Sequence, residues 1–287
     1  MSPKKSIRSA NLEGLNIRKL ELNESDDFVS FFKNEGQLNQ SLEEFKWQYS
    51  YNSNTVKDVF LAEPKEEVER IKNIFAAVYC ISHRKFLIEK KEYLGSLSLQ
   101  TLTGLSYRYR GLFVHLAKTC YNHAKSDGVK FVYGSPNDNS MPSFLKHLNW
   151  EQMPKINVLA KFNLYEYTKG KFGLRKKNFN KRNGKIFQIS EFYEPLNNLW
   201  NQFSKNINTG LVRDANFWNW RYLQRPFSND RIYVFENKKG ELLASCAISI
   251  SDKKEGKRGY IMDFMVKPNA IKEGSLLLNW CSSLLIR

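Results

Sequence analysis

A short segment of the chain combines a glycine, two arginines and a predicted helix start. Its sequence is Thr103-Gly104-Leu105-Ser106-Tyr107-Arg108-Tyr109-Arg110-Gly111-Leu112-Phe113. A helix N-terminus offers unpaired backbone N–H groups and the positive end of the helix dipole, which suit an anion such as a pyrophosphate. Gly111 would let this backbone approach the phosphates without a side chain in the way. Arg108 and Arg110 would add charged donors. The segment therefore predicts a phosphate-binding loop, although Arg-x-x-Gly alone is a common pattern.

The elements on either side of this segment would hold it in place. Before it, 93–103 alternates leucines with small or polar residues, which is typical of a strand. After it, 112–124 carries one apolar stripe at helical spacing, and Gly128 stands where a C-terminal glycine belongs. The sequence thus predicts a strand, a loop and a helix, with the loop at the helix N-terminus.

The rest of the first half predicts further strands and helices. Strands are expected at 17–22, 59–62, 74–82 and 129–134. Helices are expected after an N-cap at Ser25, after a capping box at 41–44 and from Pro142 to Leu148. This order of elements indicates a mixed α/β fold with helices packed on a sheet.

A second block follows the predicted strand at 129–134. It reads Tyr133-Gly134-Ser135-Pro136-Asn137, then Ser140, then Phe144-Leu145-Lys146-His147-Leu148-Asn149-Trp150. Together with the loop at 108–113, this block resembles the GNAT superfamily of acyl-CoA-dependent N-acyltransferases. The loop is similar to that family's Gln/Arg-x-x-Gly-x-Gly/Ala pyrophosphate motif, and the block is similar to its second motif.

The resemblance implies a mixed sheet that is splayed open to admit the pantetheine arm of acetyl-CoA, the co-substrate. It implies transfer of the acetyl group to a small-molecule amine, and it suggests an amino sugar or a polysaccharide precursor. The cofactor-binding residues implied are Leu102, Thr103, Arg108, Tyr109, Arg110, Gly111, Leu112, Phe113, Asn137 and Ser140.

The sequence departs from the family pattern at four positions. Phe113 replaces a small residue of the phosphate loop, and Tyr109 and Asn149 stand where glycine is common. The family's general-acid tyrosine aligns with Leu145, which has no proton to give. No acidic residue in the strand after Glu92 fits a general base. The catalytic groups therefore stay unassigned.

Two tyrosines are candidate proton donors by their location alone. Tyr107 lies in the loop, and Tyr133 ends the strand that opens the second block. For each, a packed aromatic side chain is the alternative interpretation.

The chain of 287 residues predicts two units. The resemblance covers an acetyl-CoA-binding domain at 13–165, and a basic segment at 166–185 is interpreted as a linker. A second GNAT-like unit is expected at 186–287, because 217–222 resembles 45–49 and 260–266 resembles 93–99. This tandem copy is incomplete at Arg287, so it is interpreted as either truncated or degenerate.

Charge and composition leave two other functions open. The formal net charge of +16 attracts polyanions, so a nucleic-acid-binding protein is one alternative, though not the favoured one. The missing acid and base make a non-catalytic acyl-CoA-binding module another.

Other sequence features concern cysteines, metals and location. The four cysteines lie in apolar stretches and are expected to be buried thiols. His115 and His123 have no carboxylate or cysteine at metal-ligand spacing, so no metal site is expected. Without a membrane span or a secretory signal in the sequence, a cytoplasmic protein is expected.

Overall fold

A computed structural model describes residues 9–36, 40–49, 58–154, 184–253 and 256–285. The chain divides into two compact units, here called the first unit (1–86 and 91–154) and the second unit (87–90 and 155–287). Most of the predicted linker, 166–183, lies outside the described residues, and its last two residues open a strand of the second unit.

The first unit is a mixed sheet with helices on its faces. Its elements are β1 (Leu15–Lys19), α1 (Ser25–Asn34), α2 (Leu42–Tyr49), β2 (Val59–Pro64), α3 (Glu67–Lys72), β3 (Ala77–Ile88), β4 (Lys91–Thr103), α4 (Leu112–Ser126), β5 (Val129–Tyr133) and α5 (Met141–His147). Among the described residues, its strands follow the order β1-β2-β3-β4-β5. The β1–β2 and β2–β3 pairs are antiparallel and the β4–β5 pair is parallel. The mixed α/β architecture predicted from the sequence is confirmed.

Successive residues of β2 point into two separate apolar cores. Phe60 packs in a core that includes Leu116 and Cys120 of α4, whereas Leu61 packs in a core that includes Phe28 of α1 and Phe45 of α2. Because side chains alternate along a strand, these cores lie on opposite faces of the sheet. Burial on both faces explains why the segments 59–62 of β2 and 77–81 of β3 are continuous apolar runs.

The start of α2 is set by side-chain capping, whereas the start of α1 is not. The predicted capping box is present: the Ser41 N–H donates to Glu44 Oε2 at 3.2 Å, and the Glu44 N–H donates to Ser41 Oγ at 3.1 Å. The predicted N-cap at Ser25 is wrong by one position, because Ser25 is the first helical residue and Glu24 precedes it without a side-chain cap. Ser25 is buried, so packing places it inside the helix.

The second unit is built around an antiparallel sheet. Its elements are β6 (Gly184–Ile189), α6 (Pro195–Phe203), β7 (Thr209–Leu211), α7 (Ala215–Trp218), β8 (Arg231–Asn237), β9 (Leu242–Lys253), β10 (Gly256–Val266) and α8 (Ile271–Leu284). Its described sheet has the order β10-β9-β8-β6. Apart from α3 and β7, the order of elements from β6 to α8 is the same as that from β1 to α4.

Two further features concern the cysteines and the possibility of a membrane span. All four cysteines are free and buried, as predicted. Of the helices in the described part of the chain, none has the length and apolar character needed to cross a membrane.

Candidate functional site

The strands β4 and β5 pair over a short stretch and then part. Their parallel register runs from Leu94↔Val129 to Leu97↔Tyr133, where β5 ends, while β4 continues to Thr103. Gly134 still approaches β4 closely, since a Cβ added there would lie 3.0 Å from the Ser98 carbonyl oxygen. Beyond that contact, no described strand pairs with this edge of β4, which leaves its backbone groups without a strand partner among the described residues.

A bulge in β4 lies within this unpaired stretch. Gln100 has a left-handed backbone (φ 48°), and its side-chain Oε1 accepts a hydrogen bond from the Tyr49 hydroxyl at 2.6 Å. The bulge places Leu99 and Leu102 in the same core, that of α1 and α2. The Leu102 side chain is therefore buried, and what this residue can offer a ligand is its backbone.

The loop between β4 and α4 leaves a run of backbone donors unused. After a 3₁₀ turn at Leu105–Tyr107, the first helical bond is donated by the His115 N–H to the Gly111 carbonyl oxygen at 3.1 Å. The N–H groups of residues 109–114 donate to no group among the described residues. They form the free helix N-terminus that the sequence predicted.

The two arginines of the loop differ in their surroundings. Arg110 donates from Nη2 to the Glu13 carbonyl oxygen at 2.6 Å and from Nε to the Asn11 carbonyl oxygen at 3.2 Å. The Arg108 backbone N–H donates to the Leu105 carbonyl oxygen, whereas its side chain is exposed and makes no hydrogen bond or ion pair within the described residues. Arg110 thus ties residues 10–13, here called the N-terminal segment, to the loop. The Arg108 side chain is available to an anion.

Gly111 is required by the protein backbone itself. Its φ of 79° lies in the left-handed region, and a Cβ added there would lie 3.2 Å from the Ala10 Cα. The sequence predicts that this glycine lets phosphates approach. The structure adds a different reason: the left-handed backbone and the close approach of Ala10 both disfavour a side chain at this position.

Left-handed backbone is also found at two positions where this chain has another residue in place of the glycine common in the family. Tyr109 has φ 64° and Asn149 has φ 56°. Asparagine tolerates this conformation better than a bulky residue does. The Tyr109 side chain is fully exposed, whereas those of Leu112 and Phe113 pack in the α4 core, so these three residues offer backbone donors rather than side-chain ligands.

Asn137 and Ser140 are brought together in the turn before α5. Asn137 Oδ1 accepts hydrogen bonds from the Ser140 N–H and from the Ser140 hydroxyl, both at 3.0 Å. Both side chains thus stabilise the start of α5. Their contact with a cofactor stays a prediction.

The two candidate tyrosines are not brought together. Tyr107 is buried in the α4 core with Arg110 over its ring, and burial raises the pKa of its phenol. Tyr133 packs edge-on against Phe86, and burial likewise raises its pKa. Leu145 lies on α5 with an exposed side chain, so this position supplies no acid.

A cluster of hydroxyl groups that the sequence did not predict lies where β4 and β5 part. The Tyr79 hydroxyl is 2.8 Å from Ser98 Oγ and 2.6 Å from the Tyr121 hydroxyl, which accepts a hydrogen bond from Trp150 Nε1 at 3.1 Å. Burial raises the pKa of Tyr121 to about 12. These tyrosines therefore remain protonated near neutral pH. Tyr79 lies in an apolar run, so the sequence carried no signal for this cluster.

Comparisons with known proteins give matches at the level of structure. No protein-family model and no curated protein matches the chain. N-myristoyltransferase from Saccharomyces cerevisiae, solved with bound myristoyl-CoA, matches 99% of this chain and 77% of its own, with a TM-score of 0.60 and 9% identity. A conserved protein of unknown function from Enterococcus faecalis V583, described as a probable N-acyltransferase, matches 94% of this chain and 63% of its own, with a TM-score of 0.64 and 11% identity. At these identities the likeness concerns the fold, and the GNAT-like fold is confirmed.

Proposed function

We propose that this protein is an N-acyltransferase that uses acyl-CoA, and that its first unit binds the acyl-CoA. The observation that carries the proposal is the parting of β4 and β5 beyond Leu97, followed by a loop whose N–H groups at 109–114 are unused. A parted strand pair gives an extended pantetheine arm a backbone edge, and the loop gives the pyrophosphate a helix N-terminus. The fold shared with N-acyltransferases supports the same function.

Roles for the site residues follow from these positions. The backbone of Leu102 and Thr103 would pair with the pantetheine arm. The N–H groups at 109–114 would hold the pyrophosphate, with the Arg108 guanidinium neutralising part of its charge. Asn137 and Ser140 would lie on the side of the gap that follows β5.

The reaction needs an oriented thioester and a neutral amine. The amine nitrogen attacks the thioester carbonyl carbon, a C–N bond forms and the C–S bond breaks. The amine proton passes to solvent, and the thiolate takes up a proton from solvent. We propose that the Tyr121 hydroxyl donates a hydrogen bond to the departing sulfur, which stabilises the charge that develops there. Its raised pKa keeps that proton in place.

The acyl group we propose is acetyl, and the acceptor is a small-molecule amine such as an amino sugar. The structural neighbour with bound myristoyl-CoA makes acyl length the first specificity to test. Acetyl-CoA and myristoyl-CoA should therefore be compared on the same protein.

Thermal unfolding with acetyl-CoA tests the binding site. A ligand at about 100 times its dissociation constant adds roughly 2.7 kcal/mol to stability, which raises the melting temperature. We expect Arg108→Glu to weaken this effect by about 10-fold in affinity, because it places a negative charge beside the phosphates. Lys125→Glu, at the far end of α4, is the matched control and should bind as the wild type does.

The outcomes separate the three functions. Release of free CoA with an amine supports the enzyme. Binding without release, across a panel of amines, would favour a non-catalytic acyl-CoA module. Absence of binding at millimolar acetyl-CoA or myristoyl-CoA refutes the proposal. In that case, nucleic-acid affinity that falls steeply with salt would support the alternative suggested by the net charge of +16.

A further inference from the structure

A second group of titratable side chains lies in the first unit, away from the phosphate loop. His83 Nε2 is 2.6 Å from Asp58 Oδ2, and His123 Nδ1 is 2.8 Å from Asp58 Oδ1. Asp127 Oδ2 is 3.6 Å from His123 Nδ1. These groups come from the start of β2, the middle of β3 and the last turns of α4. The proposed acyl transfer uses none of them.

Asp58 is held firmly at the centre of this group. Its side chain is 1% exposed, and its backbone is left-handed with φ 63°. Its carbonyl oxygen accepts a weak hydrogen bond from Cys120 Sγ at 3.4 Å. Each of its two carboxylate oxygens faces an imidazole nitrogen, Oδ2 that of His83 and Oδ1 that of His123. A buried carboxylate in left-handed backbone persists only where its surroundings hold it in place, and here it brings metal-ligating side chains together.

We propose that Asp58, His123 and Asp127 bind a divalent transition-metal ion such as Zn²⁺. Each of the three residues offers one ligand atom, and these three atoms lie within 4.8 Å of one another. Two zinc bonds of about 2.0–2.1 Å at a tetrahedral angle would place their ligand atoms roughly 3.3 Å apart. The contacts of 2.8 and 3.6 Å to His123 Nδ1 lie on either side of that value.

The types of ligand determine the class of metal. An imidazole nitrogen suits zinc, nickel, copper and iron, whereas magnesium and calcium prefer sites made of oxygen ligands. Asp127 is 42% exposed, so solvent can reach the site and a water molecule can complete the coordination.

His83 would position the carboxylate without touching the metal. Its Nδ1 is 2.5 Å from Ser96 Oγ, which leaves Nε2 directed toward Asp58 Oδ2. Partners of this kind fix the orientation of a ligating group. We therefore expect Ser96 and His83 to orient Asp58 Oδ1 toward the metal.

Lys19 competes with the metal for His123. Its Nζ is 2.7 Å from His123 Nε2. An ammonium can donate only to an unprotonated Nε2, which places the proton on Nδ1. Metal binding at Nδ1 requires the opposite tautomer, so Lys19 must move away. Lys19→Met should therefore tighten metal binding several-fold.

Calorimetric titration of the chelator-treated full chain with Zn²⁺ tests the site, with the visible absorption of bound Co²⁺ as a second readout. Asp58 is buried, so Asp58→Asn would also disturb folding, and the informative variant is Asp127→Asn, whose side chain is 42% exposed. Loss of even an outer-shell partner costs about 10–100-fold in metal affinity. We expect Asp127→Asn to weaken Zn²⁺ by at least that much, and Asp138→Asn, an exposed aspartate before α5, to leave the affinity unchanged.

Two results would overturn the proposal: the wild-type chain takes up neither Zn²⁺ nor Co²⁺, or Asp127→Asn binds Zn²⁺ as tightly as the wild type. Acetyl-CoA binding by Asp127→Asn should be normal. The test of the metal site is thus independent of the test of the acyl-CoA site.

Discussion

Two glycines bracket α4 in the same backbone conformation, which allows a matched pair of substitutions. Gly111 has φ 79° before the helix and Gly128 has φ 88° after it. A side chain in left-handed backbone costs about 1–2 kcal/mol. Replacing glycine by alanine returns about 0.4–1 kcal/mol by restricting the unfolded chain. Gly128→Ala, with no neighbour within 4 Å of the new Cβ, should therefore lose roughly 1 kcal/mol of stability.

Gly111→Ala should lose more, because its Cβ would lie 3.2 Å from the Ala10 Cα. That contact must be relieved by moving the N-terminal segment, which is tied to the loop by the hydrogen bond from the Asn11 N–H to the Arg110 carbonyl oxygen. Urea unfolding measures both variants, and titration with acetyl-CoA measures the loop. We expect weaker binding for Gly111→Ala alone. Equal losses of stability and equal affinities in the two variants would refute this account of Gly111.

Three further predictions concern stability. Ser41→Ala should cost about 1 kcal/mol in urea unfolding, because the first turn of α2 loses its cap. Hydrogen bonds from Arg18 lower the pKa values of Glu24 and Glu63. Their contribution to the stability of the folded chain is therefore present above the usual glutamate pKa, and it is lost as the pH falls through the lowered values. Arg18→Met should accordingly flatten the fall in stability below about pH 4.3, and an unchanged pH profile would contradict this. Tyr121→Phe should cost about 1 kcal/mol, because the partly buried Trp150 indole N–H loses its acceptor. Wild-type stability in this variant would rule that out.

Features set by neighbours in sequence could be predicted from the sequence. The capping box at 41–44 and the apolar stripe of α4 act within one or two helical turns. Gly128 ends α4 in left-handed backbone because it has no side chain. The loop at 108–113 was located for the same reason, since a glycine and a helix start are local signals.

Features set by sheet register could not be predicted in this way. Tyr79 meets Tyr121 across 42 positions, and Asp58 meets His123 across 65. The expectation of no metal site overlooked Asp127, which lies four residues after His123 and is 3.6 Å from it. Asp58 reaches His123 only because β2 packs against α4. A single sequence does not reveal which distant positions the strand register brings together.

The second unit repeats the order of elements without repeating the candidate site. Between β10 and α8 the chain runs from Lys267 to Ala270, with no arginine or glycine, and the Ala270 N–H donates back to the Lys267 carbonyl oxygen at 2.9 Å. This described connection therefore lacks the glycine loop of the first unit, and we expect one acyl-CoA per chain. Calorimetric titration with acetyl-CoA measures this stoichiometry. A value near two would show that the N-terminus of α8 binds acyl-CoA without a glycine loop, which would contradict the role assigned to that loop in the first unit.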